Sequence, residues 1–199
     1  MWNRTLVSAF FLIMSGPVQA VVSTGIDEDA KLPYWEIRSP GISLRLVQRL
    51  PDQTRGYFMA RGFRSEDAEI IARSCVFQTI FRNESHKTRP DAVSYNLKEW
   101  TVLQAGHERK MKTREDWEPV WQAKGVDHAA RIAFEWSLFP TRQVYRPGDY
   151  NWGMSIFDLR PGTVFDLRVS WRQYGKNHVA TIPDIQCAPD IHPDTGAMQ

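Results

Sequence analysis

Apolar and polar positions alternate with a period of two through much of the chain, the pattern of strands with one buried and one wet face. Ile42, Leu44 and Leu46 alternate with Ser43 and Arg45. Pro51-Asp52 then turns the chain into a second short strand expected over 57–61. Val76, Gln78 and Ile80 oppose Phe77, Thr79 and Phe81. Val93, Tyr95 and Leu97 form another run, continuing through Trp100 and Val102 to a turn at Gly106. The longest alternation sets Ala130, Ile132, Phe134, Trp136 and Leu138 against Arg131, Ala133, Glu135 and Ser137, and predicts a strand with a heavy aromatic inner face ended by Pro140. Val144-Tyr145 and the segments 153–159, 165–171 and 179–182 complete the strands, divided by Pro147-Gly148-Asp149, Pro161-Gly162-Thr163 and Gly175-Lys176-Asn177.

Two segments follow a helical period instead. Ser65 is placed to cap a short helix with Glu66 and Asp67 in its first turn and Ala68, Ile71, Ala72 and Cys75 on one face. Residues 116–125, with Pro119 in the first turn and Gly125 as the stop, put Trp117 and Trp121 side by side. Frequent strands broken by Pro-Gly turns, with two short helices, predict an all-β, mainly antiparallel β-sandwich.

The first twenty residues read differently. Arg4 supplies a positive start, Leu6 to Met14 an apolar stretch and Val18-Gln19-Ala20 a small-residue cleavage site, so residues 1–20 are expected to be a secretory signal peptide cut near Ala20. The export route implies a periplasmic or secreted protein, and no later segment approaches the ~18 apolar residues of a membrane-spanning helix. Residues 21–40, with Asp27-Glu28-Asp29, Pro33 and Pro40, are expected as an extended lead-in, and residues 41–199 as a single β-sandwich domain.

Composition narrows the partners. There are 25 Lys and Arg against 23 Asp and Glu, giving a formal charge of +2, and the signs are interspersed along the chain. Nucleic acid is therefore not expected as a partner. The chain holds two cysteines, Cys75 and Cys187. In an oxidising compartment they are expected to pair, fastening a tail rich in Pro183, Pro189 and Pro193 to the junction between the first helix and the strand after it.

Cys187, His192 and Met198 have the spacing C-x4-H-x5-M near the end of a β domain. This resembles the ligand loop of cupredoxins, in which a thiolate, an imidazole and a weak thioether hold copper. The resemblance implies a cupredoxin-like sandwich, as opposed to an immunoglobulin-like one, with His128 as the second imidazole and a copper-binding or electron-transfer role. It requires Cys187 to stay unpaired.

No phosphate loop, nucleophile elbow, C-x-x-C pair or zinc-protease helix is present. The reading that follows is a non-enzymatic binding or accessory protein of the cell envelope. It would need no cofactor, and its loops would recognise a protein or small-molecule ligand. A carbohydrate-binding module is the remaining alternative, with exposed rings of Trp117, Trp121 and Trp152 as the platform, while Trp136 and Trp171 are expected in the core. Asn83-Glu84-Ser85 matches an N-glycosylation acceptor.

Overall fold

A computed structural model describes residues 20–85 and 90–191. Two mostly antiparallel sheets pack face to face, and four short helices cover part of the outer surface of one of them. The sandwich expected from the alternation is therefore present, with two helices more than the pattern predicts.

The first sheet is built from β1 (Val21–Ile26), β2 (Pro33–Ser39), β3 (Ile42–Gln48), β4 (Val76–Asn83) and β9 (Tyr150–Ile156), adjacent in that order and all antiparallel. Residues 21–40 are thus a β-hairpin and not only a lead-in, because β2 buries Trp35 and Ile37 completely enough to belong to the core. The second sheet places β10 (Val164–Gln173) centrally, with β11 (Lys176–Gln186) on one side. On the other side run β5 (Val93–Asn96) and β6 (Thr101–Gln104), separated by a single 3-10 turn, Leu97–Glu99. The edge strands β8 (Arg142–Tyr145) and β7 (His107–Lys110) flank these two.

Between the sheets lies a core of Ile37, Leu44, Leu46, Phe77, Phe81, Tyr95, Trp100, Phe165, Leu167 and Trp171, all at most 5 % exposed. All but Trp100, which follows the 3-10 turn, come from the apolar phase of a strand. At about 25 cal/mol per Å2 of apolar surface withdrawn from water, a buried Phe or Leu contributes on the order of 1.5–3 kcal/mol, so this layer dominates the stability.

The second core lies outside the first sheet. Val76, Met154 and Ile156 face outward there and meet Phe58, Phe63, Trp117, Trp121 and Phe134 from the helices. Helix α1 (Pro51–Met59) replaces the turn and short strand expected over 51–61. Pro51 stands at its N-terminus with Asp52 in the first turn, and Pro51, Thr54 and Phe58 share the buried face at helical spacing. Helix α2 (Ser65–Ala72) forms as expected, but Arg64 occupies the N-cap and Ser65 is the first helical residue. Helix α3 (Arg114–Ala123) is capped by Thr113, whose backbone N–H and hydroxyl both donate to the Asp116 carboxylate at 2.8 and 2.7 Å.

Helix α4 (His128–Ser137) overturns the longest strand reading. Asp127 caps it, accepting from the Ala129 N–H at 3.1 Å, and Ala130, Phe134 and Ser137 form its buried stripe. Positions 130, 134 and 138 are common to both periods; positions 132 and 136 distinguish them. Ile132 is 39 % and Trp136 83 % exposed, so Trp136 is a surface residue and not a core one.

Cys75 and Cys187 are joined, their Cα atoms 5.2 Å apart. The bond ties the end of β11 to the start of β4. A second clasp holds the residues beyond it: the Arg55 guanidinium on α1 donates to Asp190 on the tail and to Glu69 on α2. Arg55 is thereby held charged, its pKa raised chiefly by the bonds to Glu69 and then Asp190.

Candidate functional site

The helices cover only one end of the first sheet's outer face. Strand register arranges the rest of that face into three rows about 7 Å apart, two residues per step along each strand. The first runs Gly25, Tyr34, Val47, Gln78, Met154; the second Ser23, Glu36, Arg45, Ile80, Trp152; the third Val21, Arg38, Ser43, Arg82, Tyr150. Met154 goes under α4 by way of the bridge from Leu138, but Trp152 and Tyr150 stand free at 59 % and 57 % exposure.

Three shallow depressions adjoin on this surface. One of about 210 Å3 is bordered by Arg38, Arg45, Ile80 and Arg82. Another of about 350 Å3 shares Ile80 and extends to Asp27, Val47 and Gln78. A third, about 360 Å3, shares Arg82 and Glu84 and reaches Pro147-Gly148.

Charge on the face is organised around a buried carboxylate. Glu36 is 6 % exposed and receives Arg38 Nε at 3.0 Å and Arg45 Nε at 3.3 Å. Burial works against its ionised form, yet the hydrogen bonds from Arg38 and Arg45 outweigh that and hold its pKa below the usual carboxylate value. Arg45 also meets Asp27 at 3.3 Å and lies over the Tyr34 ring at 4.3 Å. Ser43 donates to Glu84 at 2.8 Å. Arg82 is exposed and rests on the Tyr150 ring, 4.7 Å from its centroid. Such a lattice of fixed guanidinium, carboxylate and aromatic groups suits recognition of a polar ligand with flat faces. Glu36, held ionised by the two guanidinium groups, serves here as a fixed acceptor between them.

The cleft between α3 and α4, about 230 Å3, is the rival location. Most of its charges are paired, Arg131 with Glu118, Arg114 with Glu135 at 3.6 Å, and Glu115 with the Thr141 hydroxyl at 2.6 Å, although Arg131 Nε is buried with no hydrogen-bond partner. It has no exposed aromatic ring on its wall, the one ring there being the buried Phe134.

The residues singled out from the sequence are scattered. Trp117 and Trp121 stack on each other, ring centroids 5.1 Å apart, at 1 % and 0 % exposure. They staple α3 to the helical core and are withdrawn from any ligand platform, which leaves Trp152. Trp171 is buried as expected and stacks on His178 at 5.3 Å. His128 is exposed at the start of α4, while the sulfur of Cys187 is bonded to Cys75 and offers copper no thiolate. His192 and Met198 lie outside the described residues. Among the described residues no group of three or more His, Cys, Asp or Glu is placed to hold a metal ion. Asn83 is 1 % exposed and donates to the carbonyls of Asp91 and Tyr145, so its amide is closed to glycosylation in the folded chain.

Sequence reasoning missed Arg82, Tyr150, Arg38, Arg45 and Glu36 as one group. The alternation of β2, β3 and β4 puts the Arg and Glu positions on the wet face, but only the strand order brings them beside β9. No helix among the described residues is long and apolar enough to cross a membrane. No family model, no curated protein and no solved structure matches this chain.

Proposed function

We propose that this chain is an exported, non-catalytic carbohydrate-binding protein of the cell envelope, with residues 1–20 as its signal peptide and the bare half of the five-stranded sheet as its working surface. The observation that carries this reading is Trp152. An indole of that size costs solvent-exposed apolar area, and here it stands on a regular strand with its apolar cross-strand neighbour Ile80 half-covered beside it. A ring in that setting is a platform for the flat apolar face of a pyranose, and the adjoining Arg, Glu and Ser groups supply donors and acceptors for its hydroxyls.

The disulfide and the apolar leader support export. The pairing of Glu36 with Arg38 and Arg45 gives the face a fixed set of polar groups for a ligand to meet. Retardation of the purified protein in native gels containing soluble polysaccharides tests the reading. Retardation by at least one polysaccharide, abolished in Trp152→Ala and kept in Trp136→Ala, is expected. Equal migration through gels of neutral and acidic polysaccharides alike, at the rate of the empty gel, overturns it.

A further inference from the structure

We infer that the carbohydrate taken by this face carries a carboxylate, a hexuronate unit, with Arg82 as the group that reads the charge. The inference rests on the carbohydrate reading and sharpens it.

Three guanidinium groups lie on the three rows, and two of them are already neutralised. Arg38 is bound to Glu36 and approaches Glu84 at 3.9 Å; Arg45 is shared between Glu36 and Asp27. Arg82 is the third. Among the described residues no carboxylate lies within ion-pairing distance of it, although Glu84 borders the same depressions. The Tyr150 ring lies 4.7 Å from its guanidinium carbon and leaves its N–H donors unsatisfied. A planar fork of N–H donors accepts a carboxylate through two parallel bonds, which a Lys at this place would not reproduce.

Its position relative to Trp152 decides the ligand. Ile80 opposes Trp152 and Arg82 opposes Tyr150, so Arg82 and Trp152 are diagonal neighbours on one face, with Cα atoms roughly 7–8 Å apart. A pyranose stacked on the Trp152 indole brings an equatorial ring substituent over Arg82. Where that substituent is a carboxylate, the exchange of water for a charge-assisted pair favours binding. Where it is a hydroxymethyl group, Arg82 stays hydrated and only the stacking remains. Polyglutamate can satisfy Arg82 but carries no ring to stack on Trp152, so dependence on Trp152 separates a sugar from a bare polyanion.

The experiment is native gel retardation in polygalacturonate, its fully methyl-esterified form, a neutral glucan and polyglutamate, with wild type, Arg82→Gln, Arg82→Lys and Trp152→Ala. Polygalacturonate is expected to bind roughly tenfold more tightly than its methyl ester. Arg82→Gln should erase that preference while keeping the weaker retardation by the ester. Arg82→Lys should recover only part, and Trp152→Ala should lose both. An unchanged melting temperature in each variant shows that the fold is intact. Equal retention of ester and acid, or a preference untouched by Arg82→Gln, overturns the inference and leaves the carbohydrate reading standing. Retention by polyglutamate that ignores Trp152→Ala overturns it in favour of an acidic polypeptide. Loss of all retardation by every polysaccharide overturns the broader reading.

Discussion

Arg55 and Asp190 meet through two N–H to oxygen bonds, at 3.0 and 2.8 Å, that join the first helix to the last described stretch of the chain. Both side chains are largely buried, at 16 % and 17 % exposure, and Glu69 shares the same guanidinium. Removing the cation leaves the two carboxylates side by side with Arg73, which pairs with Glu69 at 2.5 Å and reaches Asp190 at 3.9 Å. Arg55→Ala is therefore expected to destabilise the protein by about 2–4 kcal/mol, read as a drop in the urea midpoint without a change of slope.

The disulfide closes a loop of 112 residues. Chain-entropy reasoning puts the stabilisation from such a loop near 4.7 kcal/mol, as an upper value. Replacing both cysteines by Ser should lower the thermal midpoint strongly and make the tail accessible to protease, and reductant should do the same to the wild type. A double variant as stable as the wild type would show that burial alone holds the tail.

Gly153 is where β9 passes the chain entering the second sheet. A Cβ there would sit 2.6 Å from the Phe139 nitrogen and 2.7 Å from its Cα. These atoms are backbone, with no flexible side chain to give way, so Gly153→Ala should cost at least the ~1–3 kcal/mol typical of overpacking. Its effect should exceed that of Gly56→Ala, whose added Cβ meets nothing within 4 Å.

Acid should weaken the fold in a defined direction. The Glu115 carboxylate is disfavoured by burial, but hydrogen bonds from Thr141, its own N–H and Thr113 together hold its pKa down to about 2 from 4.5. A carboxyl depressed in the folded state contributes its full stability above the unfolded value and loses it as the pH falls from about 4.5 towards 2. Glu69, lowered chiefly by Arg55, acts in the same sense. Thr141→Val should cost about 1 kcal/mol at pH 7 and should cost less at pH 3, as urea titrations at the two pH values would show.

The strands whose two faces meet unlike surroundings were legible in the sequence. Ile42, Leu44 and Leu46 enter the inter-sheet core while Ser43 and Arg45 face out, as a period of two requires. β4 and β9 are harder, because the outward Val76 and Ile156 are as buried as the inward Phe77. That second burial announces a further layer, and the layer is helical. Helix α4 escaped because Ala130, Phe134 and Leu138 suit either period; the cap Asp127 and the helix-favouring Ala129, Ala133 and Glu135 carried the decisive signal. Helix α1 escaped because Pro51-Asp52 marks a turn as readily as a first helical turn.

The pairing of Cys75 with Cys187 was readable from their number together with the expected export. The candidate face was not, since Glu36, Arg45, Ile80 and Trp152 come from four strands spread over more than a hundred residues. Local pattern assigns each to a wet or half-wet position but leaves open which strands are neighbours. Trp152 alone was visible as a ring suited to a surface.

Amide chemical-shift mapping during titration with a short oligogalacturonide tests the working surface most directly. Shifts concentrated at Ile80, Arg82, Tyr150 and Trp152 are expected, with the Trp152 indole moving most and Trp117 and Trp121 unmoved. Shifts centred on the cleft between α3 and α4, or none on the outer face of the five-stranded sheet with this oligomer and with a neutral gluco-oligosaccharide alike, would contradict it.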